Sequence, residues 1–215
     1  MSFVTRPDGG LAARLADRGM SLVLSGRNEA RLDDAADQIR SAAPVKIHPT
    51  PISHTAKLTL NEPSDEIDLG TWIFELADGD YQACAKGHHG AGVYNDEQGR
   101  GMVNVESIGG HLIVQHYREV HADRSSVEMY SAASRVYLFH LVPVAAGVRW
   151  RLGVAARTPA ASDFICTVDV TLPAVLQVVA RLSFLGRFLR QHVEEEAPGF
   201  AADISRKLHR HARSL

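Results

Sequence analysis

Four residues able to move protons, Glu106, His116, Tyr130 and His140, fall one to a strand in the middle of the chain. Alternation puts His116 in phase with Leu112, Val114 and Val120, and His140 in phase with Val136, Leu138 and Val142, so both histidines are expected on the apolar face. Polar groups inside an apolar barrel must be paired, and a set like this would orient a ligand or act as acid and base. In the second role His116 or His140 is the general base and Tyr130 donates to a developing enolate oxygen. The alternative is that the four hydrogen-bond one another or the backbone and hold the sheet.

No metal is expected from the spacing of the 11 histidines, which are scattered over turns, strands and the tail. The pair His88-His89 cannot point one way in a regular element, and no His-x₃-His lies on a predicted helix beside a carboxylate. Cys84 and Cys166 are too far apart for a metal pair or a disulfide framework and read as small core residues of a protein kept in a reducing cytoplasm. The net charge of −2 is built from interspersed acids and bases. That leaves no nucleic-acid footprint outside the basic tail at 206–213, which reads as the dipole-complementing end of a helix. No apolar run approaches the roughly 18 residues of a membrane span. The most apolar stretch, 172–189, is interrupted by Arg181 and Arg187, so no membrane insertion is expected.

Two patterns of periodicity divide the chain into 1–45 and 46–215. The first reads as a strand at 2–5, a turn at Asp8-Gly9-Gly10 and a helix at 11–18 stopped by Gly19. A buried strand at 21–24 and a helix capped by Asn28, with Leu32, Ala35, Ala36 and Ile39 on one face, complete it. Pro44, Pro49 and Pro51 mark the boundary. Beyond it the period is 2, with strands at 57–60 and 71–76, a brief helix at 81–86 capped by Asp78, and a loose glycine-bearing segment at 87–92. Strands at 102–108 and 111–121 join at Gly109-Gly110, and strands at 127–131, 136–142 and 148–155 follow. Phe164, Cys166, Val168 and Val170 mark the last strand. A helix then carries the stripe Leu172, Val175, Leu176, Val179, Leu182, Leu185 and Leu189, with Gly186 expected to let it approach the sheet closely. Pro198-Gly199 is expected to interrupt the helix before it resumes at 200–213.

The words Val4-Thr5, Leu15-Ala-Asp-Arg-Gly19 and Leu22-Val-Leu-Ser-Gly-Arg-Asn-Glu-Ala-Arg-Leu32 resemble a truncated start of a short-chain dehydrogenase/reductase, a partial βαβα Rossmann-like segment. That resemblance implies a pyrophosphate over Gly9 and Gly10 and a 2′-phosphate near Arg27. Ser134, four residues after Tyr130, stands where that family has its lysine. Residues 47–208, with Gly147-Val-Arg-Trp-Arg-Leu152 and His192-Val-Glu-Glu-Glu196, resemble the START-like (SRPBCC, helix-grip) superfamily. The fold class so implied is α+β, a curved antiparallel sheet wrapped on a long C-terminal helix, often around an apolar cavity.

The first function expected on that scaffold is binding of an apolar small molecule of lipid, polyketide or aromatic type. Trp150, Leu152, Leu176 and Val179 are expected to line the cavity. A cyclase or hydratase on the same scaffold is the alternative, and an NADP-dependent reductase the second alternative. The first reading needs no cofactor. Strand edges left unpaired in 1–45 would pair with the main domain or with a second copy, giving a homodimer.

Overall fold

The computed structural model describes residues 3–5, 22–24, 50–138, 140–173, 176 and 185–212. The chain divides into two compact units, one of residues 1–49 with 173–177 and one of residues 50–172 with 178–215. In the first, β1 (Phe3–Thr5) and β2 (Leu22–Leu24) pair in parallel, Phe3 opposite Leu22 and Thr5 opposite Leu24. A ladder of three residues is not a dinucleotide-binding sheet, and the Rossmann-like reading gains no support from it. Its expected helices, and with them Gly9, Gly10 and Arg27, lie outside the described residues.

The second unit is a seven-stranded antiparallel sheet followed by one long helix. Its strands are β3 (Ile52–Leu60), β4 (His88–Asp96), β5 (Gly99–Ile108), β6 (His111–Ala122), β7 (Ser126–Leu138), β8 (Val142–Thr158) and β9 (Ala161–Thr171), in spatial order β3-β9-β8-β7-β6-β5-β4. Two short helices, α1 (Leu69–Phe74) and α2 (Asp78–Cys84), lie between β3 and β4. The long helix α3 (Leu185–Ala212) packs on β3, β9, β5 and α2. Sheet and helix share one core, in which Tyr81, Met102, Met129, Phe164, Leu189, Val193 and Phe200 are fully buried. This is the helix-grip arrangement.

Gly109 and Gly110 join β5 to β6 with φ of 57° and 80°, a left-handed pair that a two-residue hairpin loop requires. In β8 the expected alternation holds, with Val148, Trp150, Leu152 and Val154 buried. Five other expectations fail. The segment 71–76 is not a strand. Asp68 accepts the Thr71 N–H at 2.8 Å and caps α1, while the Leu69 and Gly70 N–H groups donate to the Arg124 and Asp123 carbonyls. That cap and those anchors override the β-branched and aromatic composition. Segment 87–92 is not loose, because β4 runs through it. Residues 136–142 are not one strand either, since β7 ends at Leu138 and the chain turns through His140, whose φ is 61°.

The fourth correction concerns α3, which runs unbroken through Pro198. Proline removes one donor of the helical ladder, and burial of Val193, Glu196, Ala197, Phe200 and Ile204 holds the helix together across that gap. Gly186, expected to be a close-approach site, is exposed, and a Cβ there would meet Ile52 Cγ2 at an ordinary 3.6 Å. Gly186→Ala is therefore expected to stabilise the protein by up to about 1 kcal/mol through helix propensity alone. Urea denaturation checks this, and a fall in the midpoint would contradict the exposed placement. The glycine that does permit close approach is Gly199, where a Cβ would lie 2.2 Å from the Cys84 carbonyl oxygen of α2.

Candidate functional site

β4 opens with two adjacent histidines, and a strand sends neighbours to opposite faces. His88 turns inward and is buried, while His89 turns outward, its Nε2 2.7 Å from Ser107 Oγ. The β4–β5 register places His88 opposite Glu106 on the inner face. Asn104, two residues earlier on that face, stands opposite Gln115 of β6. From above, α3 lowers His192 and Glu196, one helical turn apart, onto the same spot.

The four side chains meet at their tips. His192 Nε2 lies 3.2 Å from Glu106 Oε2 and 3.4 Å from Glu196 Oε2, and His88 Nε2 lies 3.3 Å from Glu196 Oε2 and 3.8 Å from Glu106 Oε2. Further groups fix their orientation. The Tyr81 hydroxyl donates to Glu106 Oε2 at 3.0 Å, and Gln115 Nε2 donates to Glu106 Oε1 at 2.5 Å. The Tyr81 carbonyl accepts from His88 Nδ1 at 2.7 Å, and the Tyr81 ring stacks on the His88 ring with centroids 3.9 Å apart. Phe200 lies against that stack, and Trp150 lies against Phe200 and Tyr117.

Charge within this cluster is strongly biased. Burial works against the charged form of His192, yet the Glu106 and Glu196 carboxylates overcome it and raise the imidazole to about 11. Burial would likewise raise Glu196, but the His192 charge and the His192 hydrogen bond bring it down to about 2. Glu106 is also held below the ordinary carboxylate range, against burial, by His192. Burial and the nearby Glu106 charge push the Tyr81 and Tyr117 phenols well up, so both remain neutral hydrogen-bond donors.

Of the residues expected from sequence, Glu106 is at this centre and Trp150 walls it, while Leu152 is core. The inner face of β6 carries His111, Ile113, Gln115 and Tyr117, so His116 points outward and is exposed. Tyr130 is on the outer face under the Arg149 guanidinium, 4.7 Å from the ring centroid. His140 sits exposed in the β7–β8 turn. Among the four expected proton-transfer residues, then, the inward placement of His116 and His140 is overturned. Both parities of β6 carry apolar residues, which leaves the alternation ambiguous, and the strand that would have turned His140 inward stops two residues short of it.

Leu176 is half-buried, its N–H donating to the Pro173 carbonyl at 2.8 Å, and it belongs with residues 1–49 and not with the sheet. Val179 lies outside the described residues. The resemblance of Tyr130 to Ser134 to a dehydrogenase motif has a structural explanation. Ser131 and Ser134 are buried at a β7 bulge, where the Ser134 hydroxyl donates to Ser131 Oγ at 2.8 Å.

Sequence reasoning missed His88, His192 and Glu196. The available signal was the i, i+4 pair His192 and Glu196 inside an otherwise apolar stripe of Leu189, Val193 and Phe200, where polar residues must have partners. The supposed scatter of the histidines is undone by the fold, which brings ligand atoms of His88, Glu106, His192 and Glu196 within 4.8 Å of one another.

Two spaces adjoin the cluster. A cavity with room for about one water is lined by Tyr81, Asn104, Glu106, Tyr117, Trp150, Val168, His192 and Glu196. A groove of about 270 Å³ with polar and apolar walls opens to the surface over Gly87, Ser107, Ile108, Gly109, Phe188, Gln191, His192 and Glu195. His192 lines both.

No family model and no curated protein matches this chain. A solved protein of Thermus thermophilus is similar with a TM-score of 0.54 at 11% identity, over 72% of this chain and 98% of that one. At that identity the likeness shows the fold alone. Looser similarities include a START superfamily protein of Mycobacterium smegmatis, with a TM-score of 0.37, 14% identity and coverage of 66% and 97%. The Zhui aromatase/cyclase of Streptomyces sp. R1128 has a TM-score of 0.41, 10% identity and coverage of 73% and 94%. The seven-stranded antiparallel sheet with its long following helix is a helix-grip fold, and the dehydrogenase-like start is not supported. Among the described residues no helix is long and apolar enough to cross a membrane.

Proposed function

We infer that the protein binds an apolar small molecule of lipid, polyketide or aromatic type in the groove over Ile108, Gly109 and Phe188, with the polar end of the ligand against His192. The observation that carries this is the position of His192, which borders the groove on one side and the buried Glu106 and Glu196 carboxylates on the other. A groove of about 270 Å³ suits a compact ligand or one end of a longer one. The ring of Phe188 forms an apolar wall there, pressed close to Gly109. Native mass spectrometry, with an organic extract as control, is expected to find a co-purifying compound. Displacement of an apolar fluorescent dye is expected to weaken about tenfold in Phe188→Ala, a loss of about 1.4 kcal/mol. Unchanged dye binding in that variant, with no bound compound, would remove this reading.

A second reading, a cyclase or hydratase, is favoured by one specific feature. Two buried carboxylates engage His192 Nε2 while the opposite, Nδ1 edge of the ring lies toward Gly87 of the groove, so the Nδ1 proton is the one a ligand carbonyl would meet. In this reading His192 takes the part that sequence assigned to His116 or His140, and Tyr130 has no counterpart among the described residues of the groove. Turnover of a linear polyketide analogue should then vanish in His192→Gln while dye binding persists.

A further inference from the structure

We propose that His88, Glu106, His192 and Glu196 bind one divalent transition-metal ion of the zinc type, through His88 Nε2, Glu106 Oε2, His192 Nε2 and Glu196 Oε2. The first reason is distance. A charge-assisted N–H···O⁻ bond contracts to about 2.7–2.9 Å. Here the four nitrogen–oxygen separations are 3.2, 3.3, 3.4 and 3.8 Å, so the tips converge on a common point more than on one another. Metal–ligand bonds of about 2.0–2.1 Å in a tetrahedron leave ligand atoms about 3.3–3.4 Å apart. Three of the four separations fall within about 0.2 Å of that edge, and all the ligand atoms lie within 4.8 Å of one another.

The second reason is the tautomer of His88. A carbonyl can only accept, so the 2.7 Å contact with the Tyr81 carbonyl places a proton on Nδ1. In the neutral ring the Nε2 lone pair then faces two carboxylate oxygens, acceptor against acceptor. A cation at the convergence point turns that repulsion into ligation, and the Tyr81 carbonyl becomes the outer partner that a metal-bound imidazole usually has. Glu106 has outer partners of the same kind in the Tyr81 hydroxyl and Gln115 Nε2.

The third reason lies in the cavity beside the cluster. Asn104 is 3% exposed, lines that cavity, and its Oδ1 has no hydrogen-bond partner. Space for about one water, with an unpaired acceptor at its wall, fits an ion and its hydration and leaves the acceptor costly without them. Charge points the same way. Two carboxylates and two neutral imidazoles balance a divalent cation in a site where all four side chains are at most 7% exposed. Two nitrogens with two carboxylate oxygens favour zinc, manganese, iron or cobalt over magnesium and calcium, which take oxygen sets. The site stands whether or not the groove holds an organic ligand.

The test uses the full chain stripped with a chelator and then titrated with Co²⁺, reading visible d–d absorbance, and with Zn²⁺ in competition against a chromophoric chelator. One equivalent is expected, with Zn²⁺ displacing Co²⁺ and neither Mg²⁺ nor Ca²⁺ competing. His88→Ala and Glu196→Gln should each weaken Zn²⁺ binding about a hundredfold or more, and the outer-partner variant Tyr81→Phe about ten- to a hundredfold. His121→Ala, at an exposed turn away from the cluster, should leave it unchanged. Should the ligand variants fail to fold, the Co²⁺ spectrum of the unaltered chain and Tyr81→Phe still decide. The proposal is overturned if the unaltered chain takes up no tight equivalent, if binding survives His88→Ala and Glu196→Gln, or if Ca²⁺ competes.

Discussion

Glu196→Ala is expected to cost about 3–5 kcal/mol of stability in metal-free protein, because it truncates a buried side chain and removes one of the two carboxylates that hold the histidine tips. His192, 7% exposed, then keeps Glu106 at 3.2 Å as its counter-charge, while His88 Nε2 loses the carboxylate at 3.3 Å. The Glu196 and His192 pair gives stability a definite pH dependence. Glu196, held down to about 2, contributes stability that is present above the unfolded carboxylate value of about 4.3 and is lost as pH falls toward 2. His192, raised to about 11, contributes stability that is fully present below the unfolded histidine value of about 6.5 and is lost as pH rises toward 11. The groups that face this pair are Glu106 from β5, His88 from β4 and Tyr81 from α2. The metal-free melting temperature should therefore be highest between about pH 4.5 and 6.5 and decline on both sides. A midpoint that is flat or rising from about pH 6.5 to 9 in the presence of chelator would refute the ion-paired assignment. Added Zn²⁺ should move the maximum upward, because ligation needs deprotonated nitrogens.

Gly199→Ala is expected to be nearly as damaging, at about 3 kcal/mol, although the change adds a single methyl group and improves helix propensity. Its Cβ would sit 2.2 Å from the Cys84 carbonyl oxygen and 2.5 Å from Cys84 Cα, so backbone and not a flexible side chain would have to move. Separating α3 from α2 would also pull Glu196 and His192 from His88 and Tyr81. A double-mutant cycle of Gly199→Ala with Tyr81→Phe should accordingly be non-additive. The contrast with Gly186→Ala, at an open position on the same helix, makes the comparison internal. Equal melting temperatures for the two variants would mean that α2 and α3 are not in contact at Gly199.

Much of the scaffold is legible from local pattern. Strict alternation in Val148, Trp150, Leu152 and Val154, and in Phe164, Cys166, Val168 and Val170, determined which faces of β8 and β9 are dry, and these residues are buried as expected. Gly109-Gly110 determined the β5–β6 hairpin. Each of these rests on interactions among residues near one another in sequence, where a period of 2 or a left-handed turn leaves a readable mark.

The centre of the candidate site left no comparable mark. His88 and Glu196 are 108 residues apart, and His192 and Glu106 are 86 apart. Which member of His88-His89 faces inward depends on the β4–β5 register, and which parity of β6 is dry depends on neighbouring strands, because Leu112 and Val114 compete on even terms with Ile113 and Tyr117. A shift of one residue exchanges Gln115 for His116 at the core. The sequence by itself therefore determined the dry faces of β8 and β9 and named Glu106 as a candidate on a strand in the middle of the chain. Only the tertiary structure decided which histidines answer it, because the partners of a buried charge are chosen by the packing of a helix across the sheet, a long-range condition that no local period encodes.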